Sequence, residues 1–121
     1  MIITKALFFI FIASCFSTAG NIFVKKSRQI ESLFLPESLS FINSLFILAI
    51  FCYCMNLYFF MRSLEFFPVS IGYPILASLG FIFLAISAWF YLGETLGPIQ
   101  ISGMVTIVIG IFMLLSGFKT L

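Results

Sequence analysis

Ser14, Ser17, Thr18 and Asn21 follow one another at steps of three and four residues, and Lys25 stands one turn further along the same helical face. They make a track of neutral hydrogen-bonding groups inside an apolar stretch, and the track ends in Lys25, Lys26 and Arg28. Hydroxyls and an amide can hold the polar atoms of a sugar or phosphate, while ammonium and guanidinium groups suit capture of a phosphate at a mouth. What the track lacks is a carboxylate to neutralise a cation in low dielectric and couple it to a proton. Glu31, Glu37, Glu65 and Glu94 all fall in loops or at the ends of apolar runs. Each group also has a plainer use. Ser14 and Thr18 can bond back to the carbonyl four residues earlier, Asn21 can be satisfied by a neighbouring helix, and the cations can anchor a helix by reaching to head groups.

The elements that must position this track are membrane helices. The chain is 63% hydrophobic and 8% charged, outside the range of soluble domains. Apolar runs cover residues 6–24, 39–61, 69–92 and 98–118. Each is long enough, at ~1.5 Å per residue, to cross a hydrocarbon core of ~30 Å. The expectation is a single all-α transmembrane domain over residues 1–121 with four spans and short loops. A secretory-signal reading of the start competes with it, because Ser17-Thr18-Ala19 resembles a cleavage site and Ile12-Ala13-Ser14-Cys15 a lipidation box. Cys15, Cys52 and Cys54 suggest neither a disulfide framework nor a metal site. With no histidine and no intramembrane acid the chain offers no base, so it is read as no enzyme, and it carries no nucleotide-binding loop or cofactor motif. No cofactor, metal or nucleic-acid partner is expected.

Charge placement leaves the orientation open. With four spans, Lys5, Arg62 and Lys119 share one side of the membrane and Lys25, Lys26 and Arg28 the other. Balanced counts remove the usual bias of positive loops, which makes dual topology and an antiparallel dimer a concrete expectation. The competing readings are one orientation, fixed by the Lys25, Lys26 and Arg28 cluster, and a heterodimer with an oppositely oriented paralogue.

In the third span, Tyr73, Ala77, Gly80, Leu84 and Ser87 share a face, small and polar opposite a Phe-rich one, which should look at protein or a cavity. Gly72 and Pro74 are hinge candidates, since Pro74 removes a backbone hydrogen bond inside the helix. Trp89 and Tyr91 fit an interfacial belt. Asn56 in the second span and Tyr73 are further candidates for the cavity, and Arg62 with Glu65 for an ion pair at the membrane surface. In the fourth span Gly103, Thr106 and Gly110 form a small-residue stripe, either a dimer interface or a packing face within the monomer.

"PVSIGYPIL" after a short charged loop, and "LGETLGPIQISGMVTIVIGIFMLLSG" closing the chain, resemble the drug/metabolite transporter superfamily and its small multidrug resistance branch. The resemblance implies four helices per chain, an antiparallel dimer, a cavity lined by the first three helices, and the bacterial inner membrane. Aligned on Gly20 and Lys25, Ser17 stands where cation-exporting members carry a membrane-embedded glutamate. "STAGNIFVKKS" with "IGYPIL" is instead similar to the small flippase subunits for aminoarabinose-phosphoundecaprenol and related polyprenyl-phosphate lipids. Heavy use of phenylalanine departs from those subunits and leaves the sugar open. Taken with the polar track and the missing intramembrane acid, this leads to the expectation of facilitated flipping of an anionic lipid, with Ser14, Ser17, Thr18, Asn21, Asn56 and Tyr73 binding substrate and Lys25, Lys26 and Arg28 capturing the phosphate. The alternatives are an exporter of small cations or metabolites with the same fold and a different coupling group, and a non-transporting partner subunit.

Overall fold

The computed structural model describes residues 1–34 and 43–117. Residues 39–42 and Phe118, at the ends of two expected spans, lie outside the described residues, as do Glu37 and Lys119. Four helices follow one another: α1 (Ile2–Phe34), α2 (Ser44–Ser63), α3 (Val69–Leu92) and α4 (Pro98–Gly117). All four contain apolar windows long enough to span a membrane, so the protein is an all-α membrane protein with four transmembrane helices.

The first helix does not stop where its apolar run stops. α1 has 33 residues, about 50 Å at the usual rise, and it carries Lys25, Lys26 and Arg28 as helical residues where the apolar pattern suggests a loop. Lys, Arg and Gln are good helix formers: charge ends the hydrocarbon segment, and it has no reason to end the helix. Buried Ser27 continues this ordered region, donating to Asn43 Oδ1 at 3.0 Å. Asn43 is the N-cap of α2 and accepts from the Phe46 N–H at 2.8 Å with the same oxygen. One side chain thereby starts α2 and ties it to the upper part of α1.

Local chemistry sets the other ends. Ser63 closes α2 by donating to the Phe60 carbonyl at 2.7 Å. Pro68, with φ −65°, precedes α3 as its N-cap, where its missing N–H removes no helical bond. At the other end Gly93 adopts φ +65°, and the amides of Gly93 and Glu94 return to the Ala88 carbonyl. A left-handed cap of this kind needs glycine, and it aims Glu94 back toward α1.

α1 is the centre of the bundle, packed on both α2 and α3, while α4 lies against α3. The core joins Ala6, Ile10 and Ala13 of α1 to Phe67, Ile75 and Leu76. Small residues on α1 bring the helices close, as expected where packing in lipid depends on van der Waals contact. A Cβ on Gly20 would lie 3.2 Å from two ring atoms of Tyr53. α2 and α3 meet near the turn that joins them, where Leu64 and Phe60 approach Gly72 and the Phe60 and Tyr73 rings pack edge to face. Elsewhere they part, leaving a cleft backed by α1. No residue of α4 is buried.

Candidate functional site

Ser17 and Asn21 of α1, Asn56 of α2 and Tyr73 of α3 line that cleft, which encloses a cavity of about 200 Å³ closed by Leu76, Gly80 and Leu84. Asn21 Nδ2 donates to the Ser17 carbonyl at 3.0 Å, and the Tyr53 hydroxyl donates to Asn21 Oδ1 at 2.8 Å. The carbonyl of Ser17 can only accept, so these two bonds fix the orientation of the amide. One Nδ2 hydrogen remains for a ligand. Asn56 Oδ1 is buried without a hydrogen-bond partner, and an orphaned acceptor of this kind calls for a donor from a ligand, a water or another chain. The cavity carries polar groups on an otherwise apolar wall and no charge: none of its described lining residues is acidic or basic.

The remaining members of the expected track stand elsewhere. Ser14 is fully buried in the seam between α1 and α3, its hydroxyl 2.9 Å from the Ile10 carbonyl and 3.3 Å from that of Leu76. Thr18 is buried with its hydroxyl unpartnered, and it borders a separate apolar groove with Cys15, Phe83 and Ser87 on the other side of that seam. Four hydroxyl and amide residues at helical spacing cover too wide an arc to face one space; Ser17 and Asn21 reach the cavity, and Ser14 and Thr18 do not line it.

A second cavity of about 370 Å³ adjoins the first, sharing Asn21 and Leu84 with it, and is bordered by Lys25, Arg28 and Glu94. Lys25 Nζ lies 3.3 Å from Glu94 Oε1. Lys26 turns away, its ammonium 5.9 Å from the centre of the Tyr91 ring, within cation–π range. Of the three cations expected at the mouth, the structure brings together Lys25 and Arg28.

Gly72 is buried, and a Cβ there would come within 3.2 Å of Leu64 Cδ2, so it fills a tight crossing beside the turn. Pro74 is accommodated inside α3, and its carbonyl accepts from Ser78 Oγ at 2.6 Å. On α4, added Cβ atoms at Gly103 and Gly110 would meet nothing within 4 Å. Thr106 is exposed and bonds to the Ser102 carbonyl at 2.9 Å. Arg62 and Glu65 pair at 2.6 Å on the surface. No group of three or more potential metal ligands occurs among the described residues.

Two residues of the site escaped sequence reasoning. Tyr53 stands between Cys52 and Cys54 in an apolar run, and its bond to Asn21 depends on how two helices pack; the accessible clue was Gly20 beside Asn21, a gap on α1 that a ring can fill. Glu94 is distant in sequence from Lys25, and only the glycine turn after α3 brings it back.

Comparison with known proteins agrees with this architecture. A family profile described as "Small Multidrug Resistance protein" matches residues 5–107. The chain is also 31% identical over 112 residues to the "Uncharacterized protein y4nH" of Sinorhizobium fredii (strain NBRC 101917 / NGR234), across 89% of this chain and 92% of that protein. No solved structure matches the chain. With a profile match through α1, α2, α3 and half of α4, the chain belongs to the Small Multidrug Resistance protein family of small, multi-pass membrane transporters.

Proposed function

We propose that the protein flips an anionic lipid, of the polyprenyl-phosphate-linked sugar type, across the bacterial inner membrane. The observation that carries this reading is the neutral polar cavity of Ser17, Asn21, Asn56 and Tyr73 adjoining a mouth that contains Lys25 and Arg28. A sugar's hydroxyls fit uncharged donors and acceptors, and a phosphate fits the two cations. The tail stays in lipid while the head group passes, and the lipid's own gradient supplies the direction.

An antiparallel dimer completes the reading. The open side of the cleft is where a second copy or a paralogue would close the path, and Gly103, Thr106 and Gly110 give α4 a face of small residues for close approach. Gly72 and Pro74 mark the start of α3 as the place where the helix pivots as access alternates.

The family's description favours a second reading, export of small cations or metabolites. It requires a coupling group other than a cavity carboxylate, because serine holds position 17.

The test is dithionite bleaching of a fluorescent polyprenyl-phosphate sugar in proteoliposomes. Flipping exposes inner-leaflet probe, so bleaching should exceed the outer-leaflet half, and Ser17→Glu should return it to the protein-free level. Bleaching equal to protein-free vesicles would reject the flippase reading; uptake of a cationic dye by the wild-type protein would favour the second.

A further inference from the structure

We propose that the groove between α3 and α4 seats the hydrocarbon tail of the lipid whose head group occupies the mouth. This names a second part of the same ligand's site, so it deepens the flippase reading and rests on it. The groove has a volume of about 490 Å³, within the range of ligand pockets. It adjoins the cleft at two levels, sharing Leu84, Ala88 and Glu94 with the mouth cavity, and Phe81 and Leu84 with the cavity of Asn21 and Asn56. Leu84 and Ala88 stand one turn apart on one face of α3. They form the ridge between a head group at Lys25 and the groove.

Polarity changes along the groove as it does along a lipid. Glu94 and Gln100 border it at the turn from α3 to α4, where Gln100 Oε1 accepts from the Gly97 amide at 2.6 Å. Phe81, Ala85, Met104 and Ile107 line it deeper in the helices. From Gln100 to Ile107 the groove runs about 10 Å at the usual rise. A volume of about 490 Å³ over that length gives a cross-section of about 50 Å², less than a helix of ~10–12 Å diameter fills. The space is that of a hydrocarbon chain rather than of a whole helix. Met104, unbranched and flexible, can follow a chain that changes shape.

The groove supplies position and not affinity. Lipid tails are as apolar as leucine, so a tail that moves from the bilayer to the groove exchanges one set of dispersion contacts for another. Capture stays with the head group: an ammonium has three donors, and Lys25 faces Glu94 at 3.3 Å with one of them. While the head group is held there, the tail leaves along α3 and α4. The open side of the cleft stays free for a second chain.

The experiment has two readings. Native mass spectrometry of the full chain in mild detergent, with equimolar phosphatidylglycerol and phosphatidylcholine of identical acyl chains, should show phosphatidylglycerol retained about two- to fivefold over phosphatidylcholine, the range of exposed charge pairs. The same two lipids, each carrying a diazirine on the acyl chain near the glycerol, are then photolysed with the protein in liposomes, and the adducts are mapped by peptide mass spectrometry. Adducts at Phe81, Ala85, Met104 and Ile107 should be about two- to fivefold more frequent with phosphatidylglycerol. Those at exposed Phe51 of α2 should be equal with both lipids. Ala85→Phe, which fills the groove, should bring the groove ratio down to that of Phe51. A wild-type groove ratio equal to that of Phe51, a ratio that Ala85→Phe leaves unchanged, or a groove labelled by neither lipid because protein covers it overturns the tail site. With phosphatidylglycerol still retained, the flippase reading then stands. Equal retention of the two lipids overturns the anionic-lipid reading, and this inference falls with it.

Discussion

The Tyr53 hydroxyl donates to Asn21 Oδ1 at 2.8 Å, bridging α2 and α1. Its ring rests on Gly20, and Asn21 Nδ2 is held by the Ser17 carbonyl at 3.0 Å. These contacts turn a rotatable amide into one of fixed orientation: the oxygen is held toward Tyr53, and the remaining N–H can meet an acceptor.

Tyr53→Phe removes the bond and keeps the ring. In a membrane helix pair such a bond contributes about 0.6 kcal/mol, so the fold should survive with an unchanged helical circular dichroism spectrum. Flipping of the fluorescent lipid should fall about two- to tenfold, the loss of one hydrogen bond's orienting effect. A rate equal to wild type would show that the amide does not need fixing.

Gly20→Ala and Gly20→Leu separate the ring's seat from its hydroxyl. A single Cβ would meet Tyr53 at 3.2 Å, which a small tilt of the ring relieves. Leucine would drive the ring off α1, with an overpacking cost of about 1–3 kcal/mol. Detergent or heat titration should rank wild type, then alanine, then leucine in falling order of stability. Equal midpoints for all three would mean that α1 and α2 do not approach as described.

The four helices were legible because their apolar runs leave little else in the chain. The starts at Pro68 and Pro98 and the stop at Gly93 follow from backbone chemistry visible in the letters. The length of α1 was less legible, since hydropathy reports where lipid ends and Lys25, Lys26 and Arg28 are as content in a helix as in a loop. Half of the polar track was readable for the same reason. Spacing assigns Ser14, Ser17, Thr18 and Asn21 to one broad face, but which part of that face meets α3 and which meets the cleft depends on the crossing of α1 with two neighbours. Ser14 went to the seam, Thr18 to the far groove, and Tyr53 and Glu94 entered from segments that share no periodic signal with α1.

Lys25→Gln and Lys26→Gln should differ although the residues are adjacent. Lys25 borders the mouth, whereas Lys26 lies over Tyr91. Lys25→Gln should reduce retention of phosphatidylglycerol over phosphatidylcholine about two- to fivefold and flatten its dependence on salt. Lys26→Gln should leave lipid selectivity unchanged, with a loss of stability of about 0.5–1 kcal/mol from the exposed cation–π contact. Equal effects on lipid retention would mean that both cations act through general attraction to the surface.

Gly103→Leu tests whether α4 is an assembly face. Within one chain a Cβ at Gly103 would meet nothing within 4 Å, and the same holds at Gly110, so neither glycine is required for a close contact inside the monomer. α4 also has no buried residue to hold a second face against the bundle. If small residues there let a partner helix approach, leucine pushes the backbones apart and removes the contact that stabilises the pair. Native mass spectrometry should then show the dimer giving way to monomer in Gly103→Leu and in Gly110→Leu, with the helical spectrum of each variant intact. A Leu substitution at exposed Ser116, on the side of α4 away from Gly103, is the control for added bulk alone and should leave the dimer fraction as in wild type. A dimer that withstands both glycine substitutions would move the contact to the cleft, where a second chain would have to be held by the rims of α2 and α3.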